Sequence, residues 1–389
     1  MKRVLVIILA FYSIANAQAY QKFHQKAILV DSHNDLLTAS IEKNVQIDQN
    51  LLGKTHSDIG RLIKAGVDVQ IFSIWCDGDK KDPFAWANRE MDSLDAAIAR
   101  NPEKIIKVNN LVDLKAAIKQ HKLAAMFGVE GGHMIENDLD KINRFYERGA
   151  RYLTLTWNNS TEWASSAMDE NNHKIIGLTA FGKQVIERMN KLGMLIDLSH
   201  VGEETYKDAI KISTKPVIVS HSNVYALCPV PRNLKDDQID AIKKNGGVIQ
   251  LNFYAGFVDS AFKNREQAFM EKYQTEINQL VQKGMQKEYA MNSIVEKYQE
   301  EANAIRPPLS LLMDHLDYIV QRIGVDYVGM GSDFDGITST PQQLDDVMAY
   351  PLITKSLIEK GYSKRAIKKI LGGNFLRVLK ANQQHEKNK

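Results

Sequence analysis

The sequence contains few cysteines and prolines for its length, and its charges nearly balance. Only two cysteines and nine prolines occur among 389 residues, which excludes the disulfide framework of a small secreted domain. The 50 basic and 47 acidic residues give a net charge of +3, without the concentrated basic face that nucleic-acid binding requires. A mean hydropathy of -0.31 excludes a polytopic membrane protein. These absences leave a globular protein that does not bind nucleic acid.

The two cysteines, Cys76 and Cys228, are 152 positions apart. They could pair in an oxidising compartment, but two cysteines do not make a framework, and two buried thiols are the expected state. Neither is a strong catalytic candidate, since no base stands beside Cys228 in the sequence. The chemistry is therefore expected to depend on other residues.

The N-terminus has the pattern of a secretory signal peptide. Two basic residues precede an apolar run over residues 4–12, and small residues follow up to Ala17. The alternative is a membrane anchor, but the run is too short to span a bilayer as a helix, and no cysteine follows it to accept a lipid. We therefore expect residues 1–17 to be removed and residues 18–389 to be exported, either to a periplasm or as a secreted protein.

Short apolar, β-branched runs recur along the rest of the chain and alternate with helical stretches such as 178–192 and 236–244. The composition, 44% hydrophobic and 25% charged, provides for a large core. Strands buried on both faces lose the polar alternation of a half-exposed sheet, so the pattern predicts an α/β protein, a (β/α)8 TIM-type barrel, as one domain over residues 18–389. A doubly wound open sheet is the alternative. The eight runs are Ala27–Val30, Val67–Ile74, Leu123–Val129, Tyr152–Trp157, Met194–Leu198, Pro216–Ser220, Gly247–Phe253 and Tyr327–Met330.

One segment, residues 257–305, interrupts this alternation. It is rich in lysine, glutamate and glutamine, has no strand signal, and is followed by Pro307-Pro308. We interpret it as a helical hairpin inserted after strand 7. A solvated helical pair is the expected role, and a lid over the barrel mouth or a dimer contact are the alternatives.

Groups that can bind a metal follow five of the eight predicted strands. In a TIM-type barrel these positions lie at the mouth, where active sites are built. His33 and Asp35 are two residues apart and project to the same side of an extended chain, so the pair can hold one ion. Three imidazoles with several carboxylates form the mixed ligand set that suits zinc or a similar divalent ion. A lone histidine at a strand end is more often structural, so the prediction rests on convergence. The candidates are His33, Asp35, Glu130, His200, His221 and Asp333.

In these residues the chain resembles the membrane (renal-type) dipeptidase family, zinc metallopeptidases of the amidohydrolase-like barrel superfamily. The resemblance covers nearly the whole chain after residue 17 and rests on several ordered motifs. They are His33-x-Asp35, Val129–His133, Tyr152–Thr156, Asp197–His200, Ser220–Ser222 followed by Arg232-Asn233, Gly331–Gly336 and Gly372–Asn374.

The resemblance implies two zinc ions per chain. His33 and Asp35 would hold one ion, His200 and His221 would hold the other, and Glu130 would bridge both. A hydroxide shared by the metals would be the nucleophile, because metal coordination lowers the pKa of water to near 7.

The resemblance also implies which groups handle the proton and the substrate. Asp333 would take a proton from the nucleophile and pass it to the leaving amine. Arg232 would bind the terminal carboxylate of the substrate through a bidentate pair, with a surface salt bridge as the alternative for this residue. Asp335 and Tyr254 are further candidates for the pocket wall.

Trp157 is the main departure from the family pattern. The mammalian-type enzymes have at this position a histidine that contacts the substrate and the developing oxyanion. Tryptophan has one N–H donor and does not ionise, so it could hold a substrate oxygen but could not titrate. A metal-dependent amidase or deacylase of N-acyl amino acids, or a lactonase, is therefore an alternative to the dipeptidase.

The function expected from these observations is an exported zinc-dependent dipeptidase. Acceptance of a C-terminal D-residue and assembly as a homodimer are expected by analogy with the family. A non-catalytic barrel that binds metal is a third hypothesis, and Asp333, whose use is mainly catalytic, argues against it.

Overall fold

Nine parallel strands occur in the computed structural model, which describes residues 19–170, 176–285 and 287–383. They are β1 (Val30–Asp31), β2 (Val69–Ile74), β3 (Ile105–Lys107), β4 (Leu123–Glu130), β5 (Ala150–Thr154), β6 (Leu195–Asp197), β7 (Ile218–Val219), β8 (Val248–Leu251) and β9 (Val328–Met330). All except β3 form a ring in chain order, with β2 paired to β4 and β1 paired to β9. This closure confirms the predicted (β/α)8 TIM-type barrel and excludes the open sheet.

β3 is the strand that the hydrophobic pattern did not reveal. It pairs with β4 outside the ring, with Ile105 opposite Leu123 and Lys107 opposite Ala125. Only Ile105 of its three residues is buried. A strand this short, with one buried side chain, leaves no apolar run in the sequence. By contrast, every residue of β2 and β4 is buried, which explains their continuous apolar runs.

Helices alternate with the strands along the chain. They are α1 (Leu36–Glu42), α2 (Ile59–Lys64), α3 (Pro83–Arg100), α4 (Leu111–Lys119), α5 (Leu139–Arg148), α6 (Ala180–Leu192), α7 (Glu203–Ile212), α8 (Asp236–Asn245), α9 (Ala255–Val258), α10 (Phe262–Lys272), α11 (Gln274–Gln282), α12 (Lys287–Lys297), α13 (Gln299–Ala304), α14 (Leu309–Ile323), α15 (Tyr350–Glu359), α16 (Lys364–Lys368) and α17 (Asn374–Gln383). The hydroxyl of Thr179 accepts a hydrogen bond from the Gly182 N–H at the start of α6. Gly246, with φ of +81°, ends α8.

The segment predicted as a hairpin contains more than two helices. After β8, the seventh strand of the ring, the chain forms α9 to α13 before α14 resumes the alternation. Helices α10 to α13 share an apolar cluster of their own. Tyr289 of α12 does not belong to it and packs instead with Ala39 and Trp75 at the barrel mouth. That this segment is an insertion relative to compact relatives remains a prediction.

The carboxyl ends of the strands are aligned. The residues that follow the strands therefore lie at the same height along the barrel axis. Glu130 of β4 lies opposite Thr154 of β5, and Thr154 lies opposite Asp197 of β6. An isolated parallel bridge between Asn34 and Phe334 extends the contact of β1 with β9. The groups that follow these strands therefore meet at the carboxyl end of the barrel.

Three further expectations concern the termini, the membrane and the cysteines. The predicted signal peptide, residues 1–17, lies outside the described residues. Among those residues, no helix has both the length and the apolarity needed to cross a bilayer. Cys76 and Cys228 are both buried and unpaired, as expected.

Candidate metal centre

Glu130 lies at the centre of the candidate site. It is the last residue of β4, and its carboxylate meets histidines that follow three other strands. His33 Nε2 lies 3.2 Å from Glu130 Oε2, whereas His200 Nε2 and His221 Nε2 lie 2.8 and 3.4 Å from Oε1. Asp35 Oδ2 is 3.4 Å from His33 Nε2. The five ligands expected from the sequence thus meet, with His33 at one oxygen of Glu130 and the other two histidines at the other.

The buried atoms of this cluster fit a cation better than they fit each other. The Nε2 atoms of His200 and His221 are only 2.9 Å apart. Asn158 Oδ1, an acceptor, lies 3.1 Å from His200 Nδ1, so Nδ1 carries the proton and Nε2 presents a lone pair to Glu130. His33 Nε2 and Asp35 Oδ2 are buried without hydrogen-bond partners. Lone pairs and a carboxylate brought together in this way repel one another unless a positive ion lies between them.

Asp333 reaches the same centre from the loop after β9. Its Oδ1 lies 3.9 Å from His33 Nε2, and its Oδ2 accepts a hydrogen bond of 2.7 Å from Asn252 Nδ2. Burial, together with the negative charges of Asp35 and Glu130, holds the pKa of the Asp333 carboxyl well above its usual range. These surroundings favour the protonated form of the Asp333 carboxyl beside the candidate metal ligands.

Gly336 makes room for these two carboxylates. A Cβ atom at this position would lie 2.3 Å from Asp35 Oδ2 and 2.8 Å from Asp333 Oδ1. Any other residue would displace one of them, so the glycine after Asp335 is part of the site's construction. Asp335 itself accepts hydrogen bonds from the His56 N–H and the Ser57 hydroxyl and lies in the pocket wall.

Arg232 is a buried cation that faces the same cavity. It is 5% exposed, and its guanidinium lies 5.3 Å above the ring of Phe257. Nη1 and Nη2 donate only long hydrogen bonds, 3.3 Å to Ser222 Oγ and 3.4 Å to the His221 carbonyl, and Nε has no partner. Burial lowers the pKa of Arg232 to about 10, so the group stays charged at neutral pH. No carboxylate of the described residues pairs with it, which argues against the surface salt bridge considered above.

A cavity of about 360 Å³ opens above the metal ligands. Its size falls within the range of small-molecule sites. Trp157 and Tyr254, both expected in the substrate pocket, lie in its wall with Arg232. The Tyr254 hydroxyl donates a hydrogen bond of 2.6 Å to Glu266 of α10. The cavity therefore joins the candidate metal ligands, the Arg232 guanidinium and aromatic side chains.

The sequence from residue 17 to residue 389 matches the family described as membrane dipeptidase (peptidase family M19). The chain belongs to the membrane dipeptidase family. Dipeptidase 3 of Mus musculus is 32% identical over 366 residues, which cover 92% of this chain and 64% of that protein. The chain thus spans less than two thirds of the length of the mouse relative.

Two solved structures show the same fold. The probable dipeptidase PvdM from Pseudomonas aeruginosa gives a TM-score of 0.76 at 22% identity and covers 95% of this chain and 99% of its own. A metallopeptidase from Rhodobacter sphaeroides, liganded with a phosphinate mimic of the dipeptide L-Ala-D-Ala, gives a TM-score of 0.73 at 21% identity. The match covers 92% of this chain and 99% of that chain. At these identities, both likenesses concern the fold alone.

Sequence patterning did not reveal the groups that orient the ligands in this member of the membrane dipeptidase family. The Tyr152 hydroxyl lies 2.7 Å from His33 Nδ1, and the Ser220 hydroxyl lies 2.8 Å from His221 Nδ1. Ser73 donates to Glu130 Oε2 at 3.1 Å. Such contacts hold the imidazole ring and its tautomer. A polar hydroxyl within an otherwise apolar strand, as at Tyr152, is the signal that could have indicated one of them.

Two buried aspartates tie the strand ends together beneath the ligands. Asp31 accepts hydrogen bonds from the amide and hydroxyl of Ser332. Asp197 accepts from the hydroxyls of Thr154 and Ser220. Each carboxylate therefore joins neighbouring strands of the ring at the level of the metal centre.

Proposed function

We propose that this protein is an exported zinc-dependent dipeptidase that hydrolyses the peptide bond of free dipeptides. The observation that carries the proposal is the presence, in one cavity, of the Glu130 cluster and of a buried guanidinium without a carboxylate partner among the described residues. Membership in the membrane dipeptidase family supports it. The activity, the substrates and the export of the whole protein all belong to this proposal.

The arrangement of donors supports two zinc ions per chain. His33 and Asp35 would hold one ion, His200 and His221 the other, and Glu130 would bridge them through its two oxygens. Imidazole nitrogen with carboxylate oxygen is a common donor set for zinc. Zinc bound here would lower the pKa of water to near 7, which makes hydroxide available as the nucleophile, and would polarise the scissile carbonyl.

Asp333 is placed to manage the proton of the reaction. Asn252 holds Oδ2, which leaves Oδ1 facing the ligand cluster. In the proposed reaction, Asp333 accepts a proton from the attacking water and delivers it to the nitrogen of the leaving amine. The raised pKa of Asp333 favours its protonated form, which supports its role as the group that carries the proton to the leaving amine.

Arg232 would recognise the free carboxylate of the C-terminal residue. Its Nε has no partner and its Nη atoms donate only long hydrogen bonds, so the guanidinium can form a bidentate pair with a carboxylate, and Phe257 supports its face. Because this group lies in the same cavity as the candidate metal ligands, it could hold the carboxylate of a substrate whose scissile bond lies at those ligands. The L-Ala-D-Ala mimic bound by the Rhodobacter sphaeroides protein supports acceptance of a C-terminal D-residue here.

The proposal is tested with a panel of L-L and L-D dipeptides, a tripeptide series and N-acyl amino acids. The protein is assayed as isolated, after chelation and after zinc is returned. We expect dipeptide hydrolysis that disappears on chelation and returns with zinc, and no cleavage of tripeptides. Faster hydrolysis of N-acyl amino acids than of every dipeptide would replace the proposal with the deacylase that Trp157 suggested. Binding of zinc without turnover of any substrate would favour a non-catalytic protein.

Two matched histidine variants test the metal ligands. His221→Ala should lower the zinc content measured by mass spectrometry, whereas His121→Ala, at an exposed position, should leave it unchanged. Equal zinc content in both variants would contradict the assignment of His221 as a metal ligand.

Export is tested by determining the N-terminal residue of the protein recovered outside the cytoplasm, with cleavage after Ala17 expected. Sedimentation of the mature protein tests the proposed homodimer.

A further inference from the structure

An aromatic wall lies on the side of the cavity formed by the loops after β2 and β5. Trp75 directly follows β2, and Trp157 follows β5. Their rings are 5.0 Å apart and meet edge to face. Tyr289 of α12 is buried against Trp75, with 6% of its surface exposed, and Trp157 packs against the same cluster. We call Trp75, Trp157 and Tyr289 the aromatic wall.

The aromatic wall lies across the barrel mouth from Arg232. In the ring of strands, β2, β4 and β5 are consecutive, whereas β7 and β8, whose loops carry Arg232 and Tyr254, belong to the other half. Both groups line the same cavity, together with Glu130 and His200. The aromatic wall and the guanidinium therefore stand on opposite sides of the metal ligands.

This placement determines where each part of a dipeptide lies. When the C-terminal carboxylate is held by Arg232 and the scissile carbonyl lies at the metal ligands, the N-terminal residue extends to the opposite side. We infer that the aromatic wall binds the side chain of the N-terminal residue, and that dipeptides beginning with a large apolar residue are preferred. This inference rests on the proposed function, because it assumes a dipeptide held by Arg232.

The aromatic wall offers mainly apolar surface to a substrate side chain. Its surfaces are ring faces and edges, which gain free energy when apolar area is removed from water. One buried donor, the Trp75 indole N–H, has no partner among the described residues. A substrate that used this donor would carry an acceptor such as an amide oxygen. Leucine and asparagine have similar shapes, so a comparison of these two N-terminal residues separates apolar burial from hydrogen bonding.

Tyr289 also limits the depth of this subsite. It lines a second cavity of about 330 Å³, whose wall further includes Lys43, Arg61 and Val295. Since the Tyr289 ring borders both spaces, truncation of its side chain opens one toward the other. If the Tyr289 ring encloses the N-terminal side chain, removal of the ring should reduce the preference for a large apolar N-terminal residue.

The test measures kcat/KM for Gly-Gly, Leu-Gly, Phe-Gly, Asn-Gly and Gly-Leu with the zinc-loaded enzyme. We expect Leu-Gly and Phe-Gly to exceed Gly-Gly at least tenfold, as for apolar pockets that distinguish side chains by size. Asn-Gly should remain near Gly-Gly, and Gly-Leu should gain less than Leu-Gly. In Tyr289→Ala the ratio of Leu-Gly to Gly-Gly should fall at least fivefold, whereas Tyr289→Phe should keep it.

Tyr298→Ala is the matched control. Tyr298 belongs to the same helical segment and stacks on Tyr273 at 3.8 Å, but it lines neither cavity. The ratio of kcat/KM for Leu-Gly to kcat/KM for Gly-Gly should be unchanged in this variant. Equal kcat/KM for Gly-Gly and Leu-Gly in the wild type, or faster cleavage of Asn-Gly than of Leu-Gly, overturns this inference while dipeptidase activity stands. Failure to cleave any dipeptide overturns the proposed function itself. The ratio of kcat/KM for Leu-Gly to kcat/KM for Gly-Gly in the wild type tests the preference for an apolar N-terminal residue even if Tyr289→Ala does not fold.

Discussion

Replacement of Arg232 by methionine should stabilise the protein while removing its preference for a free carboxylate. The guanidinium is buried without an ion-pair partner among the described residues, and burial lowers its pKa to about 10. Compared with the usual value above 12, this lowering corresponds to about 3 kcal/mol of destabilisation at neutral pH, at ~1.4 kcal/mol per pKa unit. The two long hydrogen bonds of Arg232 offset only part of this destabilisation. Methionine keeps most of the apolar stem and carries no charge.

The expected gain in the free energy of unfolding is about 1–3 kcal/mol, or up to about 4 °C in melting temperature for a chain of this length. The expected loss is in kcat/KM for dipeptides, about 100-fold or more, since charge-assisted hydrogen bonds to a carboxylate contribute about 1.5–3 kcal/mol each. Dipeptide amides, which lack the carboxylate, should be cleaved equally by both proteins. The assay therefore measures the ratio of kcat/KM for a dipeptide to kcat/KM for its amide, in the wild type and in Arg232→Met. Thermal unfolding of the two zinc-loaded proteins is measured alongside.

Arg377→Met is the matched control for this experiment. Arg377 is a partly buried arginine whose guanidinium donates to the carbonyls of Gly247 and Asp326, far along the chain from the site. Its removal leaves those carbonyls unpaired and should lower stability without changing the preference for free dipeptides. The reasoning would be refuted if Arg232→Met kept the wild-type ratio of dipeptide to dipeptide amide, or if it unfolded at a clearly lower temperature than the wild type.

Three other changes address the metal centre and its surroundings. Asp333→Asn should lower kcat about 100-fold or more with zinc content unchanged, and loss of zinc would show that Asp333 is instead a ligand. Tyr152→Phe removes the hydroxyl beside His33 and should weaken zinc binding about 10- to 100-fold in a chelator competition, whereas unchanged affinity would contradict its orienting role. Glu90 is a buried residue of α3 whose carboxylate accepts hydrogen bonds from the Thr38 hydroxyl and the Trp75 backbone N–H. Burial raises the pKa of Glu90 well above its usual range, so the folded state binds the carboxyl proton more tightly than the unfolded state does. The stability of the wild type therefore falls as the pH rises above the pKa of Glu90 in the unfolded chain. The melting temperature of Glu90→Gln relative to the wild type should therefore increase from pH 5 to pH 8, and a constant difference would refute this.

The barrel, and the convergence of the candidate ligands at its mouth, were predictable because both depend on local sequence. Strands such as β4 are buried on both faces and form continuous apolar runs, and the ligands follow those runs directly. The partners of the ligands depend on contacts between distant strands, so a local pattern can single out a polar residue such as Tyr152 but not the ligand that it contacts. Tyr152 lies on β5, yet it orients His33 after β1. In the same way, the polar segment 257–305 predicted helices, but its sequence does not show that Tyr289 returns to the barrel mouth.

The pairing of Asp31 with Ser332 has a consequence for how the candidate metal centre forms. These residues are 301 positions apart, and their hydrogen bonds join the earliest and the latest strands of the ring. His33 and Asp333 face each other across that seam. An N-terminal fragment that ends before β9 therefore cannot assemble the complete centre. During synthesis, the candidate metal centre can therefore form only when nearly the whole chain is available to fold.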